Sequence, residues 1–335
     1  LSKNSATAQT TDVGVAAYVS PTGSLCSGTA DVTVIIQNFG TNDVYSMNID
    51  WSVNGAAQST ITYTDTLLAG ATDTVLLGSW SLLSGNFYEF ITYTSAPNAG
   101  LDDDATNDTL SSGNLTIPLS GTYTVGGTTP DYARLSDAVA ALTTFGVCGP
   151  VILDMRSGTD TIRVSIPAIN GSSTTNTITI RSENGDSSSV KLTYPSETVF
   201  TNLNYILQLN GADHINLERI TLERTGLEPY ARIIDFKNSS CFINITGCRF
   251  LGAPTTQVSN SLAAILYSSA GTPTNDSNVV IHGNRFENGS MGIYLNGIAS
   301  LNPENGLIIT DNILLNQYAF GMFLTNHGDL NIVNN

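Results

Sequence analysis

One eight-residue pattern recurs through the second half of the chain, and nothing else in the sequence restricts the fold as tightly. Ile215-x-Leu217-x-x-Ile220-x-Leu222 is followed by Ile243-x-Ile245-x-x-Cys248-x-Phe250, Val279-x-Ile281-x-x-Asn284-x-Phe286 and Leu307-x-Ile309-x-x-Asn312-x-Leu314. A last copy, Leu330-x-Ile332-x-x-Asn335, stops part-way. Between copies lies a second apolar run: Ile233-Ile-Asp-Phe236, Ala264-Ile-Leu-Tyr267, Gly292-Ile-Tyr-Leu295 and Gly321-Met-Phe-Leu324. Apolar residues two apart mark pleated strands, and a supersecondary unit returning every 20 to 40 residues or so marks a solenoid. One coil cannot bury its apolar row alone, so coils stack about 4.8 Å apart and share a core. Two inward-facing strands per coil, joined by a tight polar turn, predict a right-handed parallel β-helix over residues 119–335. A leucine-rich horseshoe would need a Leu-dominated consensus of more constant length.

The third template position sharpens this expectation. Ile220, Cys248, Asn284, Asn312 and Asn335 fall one above another, so the asparagines can build an internal ladder of side-chain amides above Cys248. Asn335 ends within a coil, which would leave an open strand edge. The repeat therefore predicts that the natural protein continues and that the helix is truncated here.

Residues 11–118 read differently, as short alternating strands broken by turns. Asp31-Val-Thr-Val-Ile-Ile-Gln37 meets Asn38-Phe-Gly40, and Met47-Asn-Ile-Asp-Trp-Ser-Val53 runs into Asn54-Gly55, a strong hairpin signal. About seven such strands in roughly a hundred residues predict an Ig-like β-sandwich with Trp51 in its core. A Gly-, Ser- and Thr-rich hinge follows, then one helix over about residues 131–145. Asp131 is placed to cap it, Leu135, Ala138, Val139 and Leu142 share a face, and Gly146 ends it. A helix so placed can close one end of a larger β structure. The fold class is all-β.

Composition excludes several functions. Charged residues are only 12% of the chain, and 28 acidic against 12 basic side chains leave a net charge of −16. A surface this acidic, with no basic cluster, repels phosphate backbones and anionic lipids, so nucleic acid is not an expected partner. No apolar run approaches the roughly 20 residues of a membrane helix, so no direct membrane insertion is expected. Leu1–Thr10 lacks the charged start and apolar stretch of a signal peptide, and is read as following one already removed. Cys26, Cys148, Cys241 and Cys248 have no metal-type spacing and read as mostly buried, unpaired thiols.

Candidates for chemistry are scattered. Arg249 and Arg285 occupy equivalent places on successive template copies, with Glu287 beside them, and are the candidate ligand-binding residues. Glu218, Arg219, Glu223 and Arg224 crowd one coil, with Arg232, Asp235 and Lys237 nearby, while His282, Asp311, His327 and Asp329 belong to later coils. Such charges on a solenoid ordinarily serve solvation and edge protection. No set of side chains has the pattern of a pectin-hydrolysing site, a Ser/His/Asp order or a Cys/His pairing, so no catalytic residue is assigned. Asp102, Asp103, Asp104 and Asp108 form an acidic turn whose oxygens suit Ca2+, though without calcium-loop spacing. No other cofactor is expected. Tyr194, Tyr205, Tyr230, Tyr267, Tyr294 and Tyr318 could stack on sugars, but those on inward strands are read as core.

Ser120-Gly-Thr-Tyr-Thr-Val-Gly-Gly-Thr-Thr-Pro-Asp-Tyr-Ala133, with Asp137-Ala-Val-Ala-Ala-Leu142 and Gly146-Val-Cys-Gly-Pro150, is similar to the opening of β-helix domains in large secreted Bacteroidota surface proteins. Ile178-Thr-Ile-Arg-Ser-Glu-Asn-Gly-Asp186, Leu209-Asn-Gly-Ala-Asp213 and Arg285-Phe-Glu-Asn-Gly-Ser-Met-Gly-Ile-Tyr-Leu295 extend the resemblance. Ile49-Asp-Trp-Ser-Val-Asn-Gly55 and Asn107-Asp-Thr109 resemble the adhesion-related sandwiches that accompany them. The resemblance implies export by type IX secretion machinery through a C-terminal sorting domain absent from this sequence. It also implies O-glycosylation at Asp-Ser/Thr-apolar triplets, which places candidates at Thr66, Thr74, Thr109 and Thr161.

The functional expectation is an extracellular, cell-surface protein without enzymatic activity, an adhesin or filament-like stalk whose β-helix presents a repetitive face to glycans or partner proteins. The alternatives are a polysaccharide lyase or glycoside hydrolase acting on the β-helix flank, and a purely structural spacer. A catalytic flank needs acidic and basic groups within about 6 Å across adjacent coils. A binding flank would show aromatics or amides in register, and a spacer neither.

Overall fold

The structure is a computed structural model and describes residues 10–23, 25–199, 201–254, 262–268, 276–297 and 304–335. The opening segment read above as following a leader therefore lies, except for Thr10, outside the described residues. The chain divides into two compact units, Leu1–Pro118 and Leu119–Asn335.

The first unit is built from two larger antiparallel sheets over one core, with Asn86–Tyr88 and Leu115–Ile117 forming a small two-stranded one. Val13–Ser20, Gly28–Asn38 and Thr72–Leu82 form one sheet. In the other, Met47–Val53 pairs with Ala56–Ala57, Ile61–Tyr63 and Phe90–Ser95, which in turn carries Thr109–Ser111. Alternation decides which side chains meet. Val32, Val34 and Ile36 from one sheet and Ile49, Trp51 and Val53 from the other are all buried in the same cluster. Each such side chain contributes about 1.5–3 kcal/mol by leaving water. Trp51 also places its indole N–H, donating to the Ser59 carbonyl at 3.2 Å. Asn54 and Gly55 both hold positive φ, 49° and 78°, as a two-residue hairpin requires.

The second unit is a parallel β-solenoid. One sheet runs from Leu119–Val125 through Val147–Met155, Ile178–Ser182, Ile215–Glu218, Ile243–Thr246, Val279–His282 and Leu307–Thr310 to Leu330–Val333. The other two contain six strands each, so the coil has three sides rather than the two strands expected. The difference has a local cause. Within each template copy the chain turns a corner between the second and third apolar positions, at Arg219, Gly247, Gly283 and Asp311, all with φ between 50° and 63°. What reads as one run is thus two strands at an angle. Ile215, Leu217, Ile220 and Leu222 nonetheless all point inward and are buried.

Inside the corner stands the asparagine column. Asn312 Oδ1 accepts from the backbone N–H of Asn284 at 2.9 Å and from Asn284 Nδ2 at 3.0 Å, across 28 residues of sequence. Asn335 Oδ1 does the same for Asn312, at 3.0 and 2.8 Å. Asn284 Oδ1 in turn accepts from the Cys248 N–H at 2.8 Å. Each amide satisfies a corner N–H that would otherwise be buried without a partner.

Two expectations need correction. The helix spans Leu135–Phe145, and its first turn is held by Asp137, which accepts from the Arg134 N–H at 3.1 Å. Asp131 lies outside it, because the N–H and hydroxyl of Thr124, both at 2.7 Å, already occupy its carboxylate. Leu135, Ala138, Val139 and Leu142 are buried, and the helix packs on Val164–Pro167 and Leu119–Val125. As for the cysteines, Cys241 and Cys248 are in no disulfide, but Cys26 and Cys148 are disulfide-bonded. Sequence spacing carries no information about which cysteines are oxidised.

Candidate ligand-binding face

The third sheet of the solenoid carries a column of side chains that the core does not absorb. Its strands include Leu207–Asn210, Ile234–Lys237, Ala264–Ser268, Met291–Asn296 and Phe320–Thr325. In-register pairing aligns Gln208, Asp235, Tyr267, Tyr294 and Phe323. Their neighbours Leu266, Ile293 and Leu295 fill the core, so period-two alternation turns the column outward.

The column is continuous. Gln208 Nε2 donates to Asp235 Oδ2 at 2.9 Å. Arg232 faces the same carboxylate, Nη1 to Oδ1 at 3.5 Å, and lays its guanidinium over Tyr267 with Cζ 3.3 Å from the ring centroid. Tyr267 and Tyr294 stack at 5.4 Å with 10° between ring planes, and Tyr294 and Phe323 at 5.1 Å with 7°. Phe320 leans on Phe323 at 6.3 Å. Burial pushes the Asp235 carboxyl up and the Arg232 guanidinium down from their ordinary values. Tyr267 and Tyr294 are half-buried, whereas Phe323 and Phe320 are 36% and 53% exposed. Asn296 and Thr325, joined by a hydrogen bond, flank the rings with amide and hydroxyl. The result is an aromatic ridge along the coil-stacking direction, with a cation at one end and polar groups beside it.

The sequence candidates are placed as follows. Arg249 and Arg285 lie in register on adjacent coils of the second sheet. Both turn onto Glu287 Oε1, with Nε of Arg249 at 3.0 Å and Nε of Arg285 at 2.7 Å. The Arg285 hydrogen bond, helped by Arg249, holds the Glu287 carboxyl below the usual carboxylate range. Both guanidiniums are committed to one carboxylate, so the trio keeps a single net positive charge rather than an open basic stripe.

Of the crowded charges, Arg224 is buried. It donates to the carbonyls of Tyr205 and Tyr230 and to Asn204 Oδ1, and burial lowers its pKa to about 10. Lys191 pairs with Glu223 at 2.6 Å. A cleft of about 200 Å³ beside Arg134, Arg156 and Lys191 is similarly committed, since Arg134 pairs with Asp160 at 2.6 Å and Arg156 with Glu183 at 3.7 Å.

His282 meets Asp311 at 3.4 Å on the surface. His327 and Glu304 form a buried pair at 3.5 Å. Burial, with Asp276 adding repulsion, raises the Glu304 carboxyl to about 7. Thr66, Thr74, Thr109 and Thr161 are all exposed. Asp102 and Asp103 direct their carboxylates at backbone N–H groups of residues 10–13. No group of three or more His, Cys, Asp or Glu among the described residues is gathered to hold a metal ion. No helix among them is long and apolar enough to cross a membrane.

No family model and no curated protein matches the chain. Solved structures that resemble it cover about a third of it. The CARDB domain of the PF1109 protein from Pyrococcus furiosus, in complex with di-metal ions, is 17% identical over 34% of this chain and 99% of that one, with a TM-score of 0.30. Its solution structure gives 17%, 33%, 99% and 0.28. A domain of a Methanosarcina acetivorans protein, provisionally named a cell-surface protein, gives 24%, 33%, 95% and 0.27. These similarities are too slight to carry function.

Proposed function

We propose that this chain belongs to an extracellular surface protein without enzymatic activity, whose solenoid binds glycan chains along the aromatic ridge of its third sheet. The observation that carries this reading is the Tyr267, Tyr294 and Phe323 column, half-exposed and in register over three coils. Core packing explains an inward aromatic, but it does not explain three rings stacked on the outer face. Their separation, 5.1 to 5.4 Å, is close to the length of one sugar ring, so an extended polysaccharide laid along the ridge would meet one aromatic edge per unit. Asn296 and Thr325 would supply hydrogen bonds to its hydroxyls, while Arg232, buried against Asp235 and Tyr267, would brace the end of the ridge. Weak contacts repeated along a polymer multiply when the protein is displayed in many copies.

The disulfide-bonded Cys26 and Cys148 support an oxidising compartment, and the polar, weakly charged surface supports an extracellular one. The finer reading takes the first unit as an Ig-like docking or spacer module and the solenoid as a right-handed β-helix, the hand that strand-to-strand crossovers favour. It takes export through type IX machinery and glycosylation at the exposed threonines as implied by the sequence resemblance.

Retention on a panel of immobilised neutral and acidic polysaccharides tests the proposal, with Tyr294→Ala as the comparison. The variant is expected to lose about tenfold in affinity, the scale of one aromatic platform, while keeping its melting transition within a few degrees. Equal retention of both proteins would remove the ridge from consideration.

A further inference from the structure

We propose that the first unit holds a divalent cation of the hard, oxygen-preferring class, Ca2+ or Mg2+, between the carboxylates of Asp12 and Asp108 and the amide oxygen of Asn107. The site is not the acidic run that the sequence displays. Most of that run is committed to holding the loop against the start of the first strand. Asp102 Oδ2 accepts from Val13 N–H at 2.9 Å, and Asp103 Oδ2 from the N–H groups of Thr10 and Thr11 at 2.7 and 3.0 Å. Asp104 Oδ1 takes the N–H and hydroxyl of Thr106 at 3.0 and 2.6 Å.

What these clips bring together is Asp12, 95 residues away from Asn107 in sequence. Asp12 is wholly buried. Its Oδ1 accepts from Asn107 Nδ2 at 2.8 Å, but its Oδ2 has no hydrogen-bond partner, and neither has the buried Oδ1 of Asn107. Two buried acceptors without a donor call for a positive or donating species between them. Gly14 makes room for the amide, since a Cβ there would sit 2.6 Å from Asn107 Oδ1.

Asp108 completes the set. It follows Asn107 directly in the chain, and its Oδ1 takes a long 3.5 Å contact from the Thr94 hydroxyl. Burial, with repulsion from Asp102, Asp12 and Asp104, pushes its carboxyl up to about 6, and burial raises Asp12 as well. No salt bridge reaches Asp12, Asp102 or Asp108 among the described residues. A single water could donate to both orphan oxygens but would leave the gathered negative charge in place. A divalent cation answers both deficits, with waters filling its remaining positions.

The test uses the full chain, stripped with a chelator and titrated calorimetrically with CaCl2 and with MgCl2, beside Asp108→Asn and Asp12→Asn. Wild type is expected to bind one of the two ions saturably and to melt higher with it. Asp108→Asn is expected to melt at least as high as wild type without cation, because it removes a crowded charge, yet to bind at least about tenfold more weakly. That combination separates loss of a ligand from loss of folding. Wild type that binds neither ion, or Asp108→Asn that binds as tightly as wild type, would overturn the proposal. So would a melting temperature that rises only on acidification through about pH 6, which points to shared protons instead.

Discussion

At the scale of single residues, the solenoid relies on buried asparagines whose partners are in place. Asn312 is 2% exposed; it accepts from two donors of Asn284 and donates to the carbonyls of Ile281 and Thr310. Asn312→Ala would strand the Asn284 N–H and both carbonyls, a loss of about 2–4 kcal/mol. Asn244 makes a comparable amide contact, Nδ2 to Asn216 Oδ1 at 2.8 Å, but on the exposed outer face. Asn244→Ala should cost under about 1 kcal/mol, because water replaces the lost bond. Chemical denaturation of the two variants checks the difference. Glu304 supplies a pH dependence whose sign can be worked out. Its folded carboxyl is raised to about 7 from an ordinary 4.5, first by burial and then by Asp276. The neutral form is favoured in the fold, so its contribution is complete below about pH 4.5 and is lost as pH rises through about 7. Asp276 is raised too and acts in the same direction, whereas burial lowers His327, whose contribution is lost as pH falls. Wild type is expected to lose melting temperature between pH 5 and 8, and Glu304→Gln should flatten that fall.

The elements were legible in the sequence to unequal degrees. The asparagine ladder can be read because a polar residue at an apolar template position is conspicuous, and the repeat fixes what stands above it. Tyr267 and Tyr294 cannot be read the same way. Ala264-Ile-Leu-Tyr267 and Gly292-Ile-Tyr-Leu295 are apolar throughout, so period two does not say which residues face out and leaves both tyrosines between sugar platform and core. Phe323 carries no signal beyond its run. Cross-strand alignment into one column exists only once coil length and corners are set. The corners have their own physics. Gly283 holds φ 63° with open space around its missing Cβ, and Asp311 holds φ 58° at the same place on the next coil. Gly283→Asn should therefore be nearly neutral, while Gly283→Val should cost about 1–2 kcal/mol, since β-branched residues avoid left-handed backbone. Thermal melts of the pair distinguish conformational strain from packing. Likewise the sequence points to Asp131 as the cap, and only the position of the first helical turn gives that part to Asp137.

For the molecule as a whole, the repeat and the polar composition are enough to anticipate a β-solenoid of low charge density. They are not enough to place a site, because its residues come from strands separated by loops of unequal length. The charged groups that would make the flank an enzyme are paired with one another: Arg249 and Arg285 on Glu287, Lys191 on Glu223, Arg232 on Asp235. The aromatic ridge is not committed in that way, which is why binding rather than cleavage is the central claim. The most direct test incubates the full chain and its Tyr294→Ala variant with the polysaccharide panel, measuring retained protein and newly formed chain ends in the same samples. The account predicts that wild type is retained on at least one polymer, that the variant is retained about tenfold less, and that no new ends appear with either. Reproducible new chain ends, or no retention on any polymer, would contradict it.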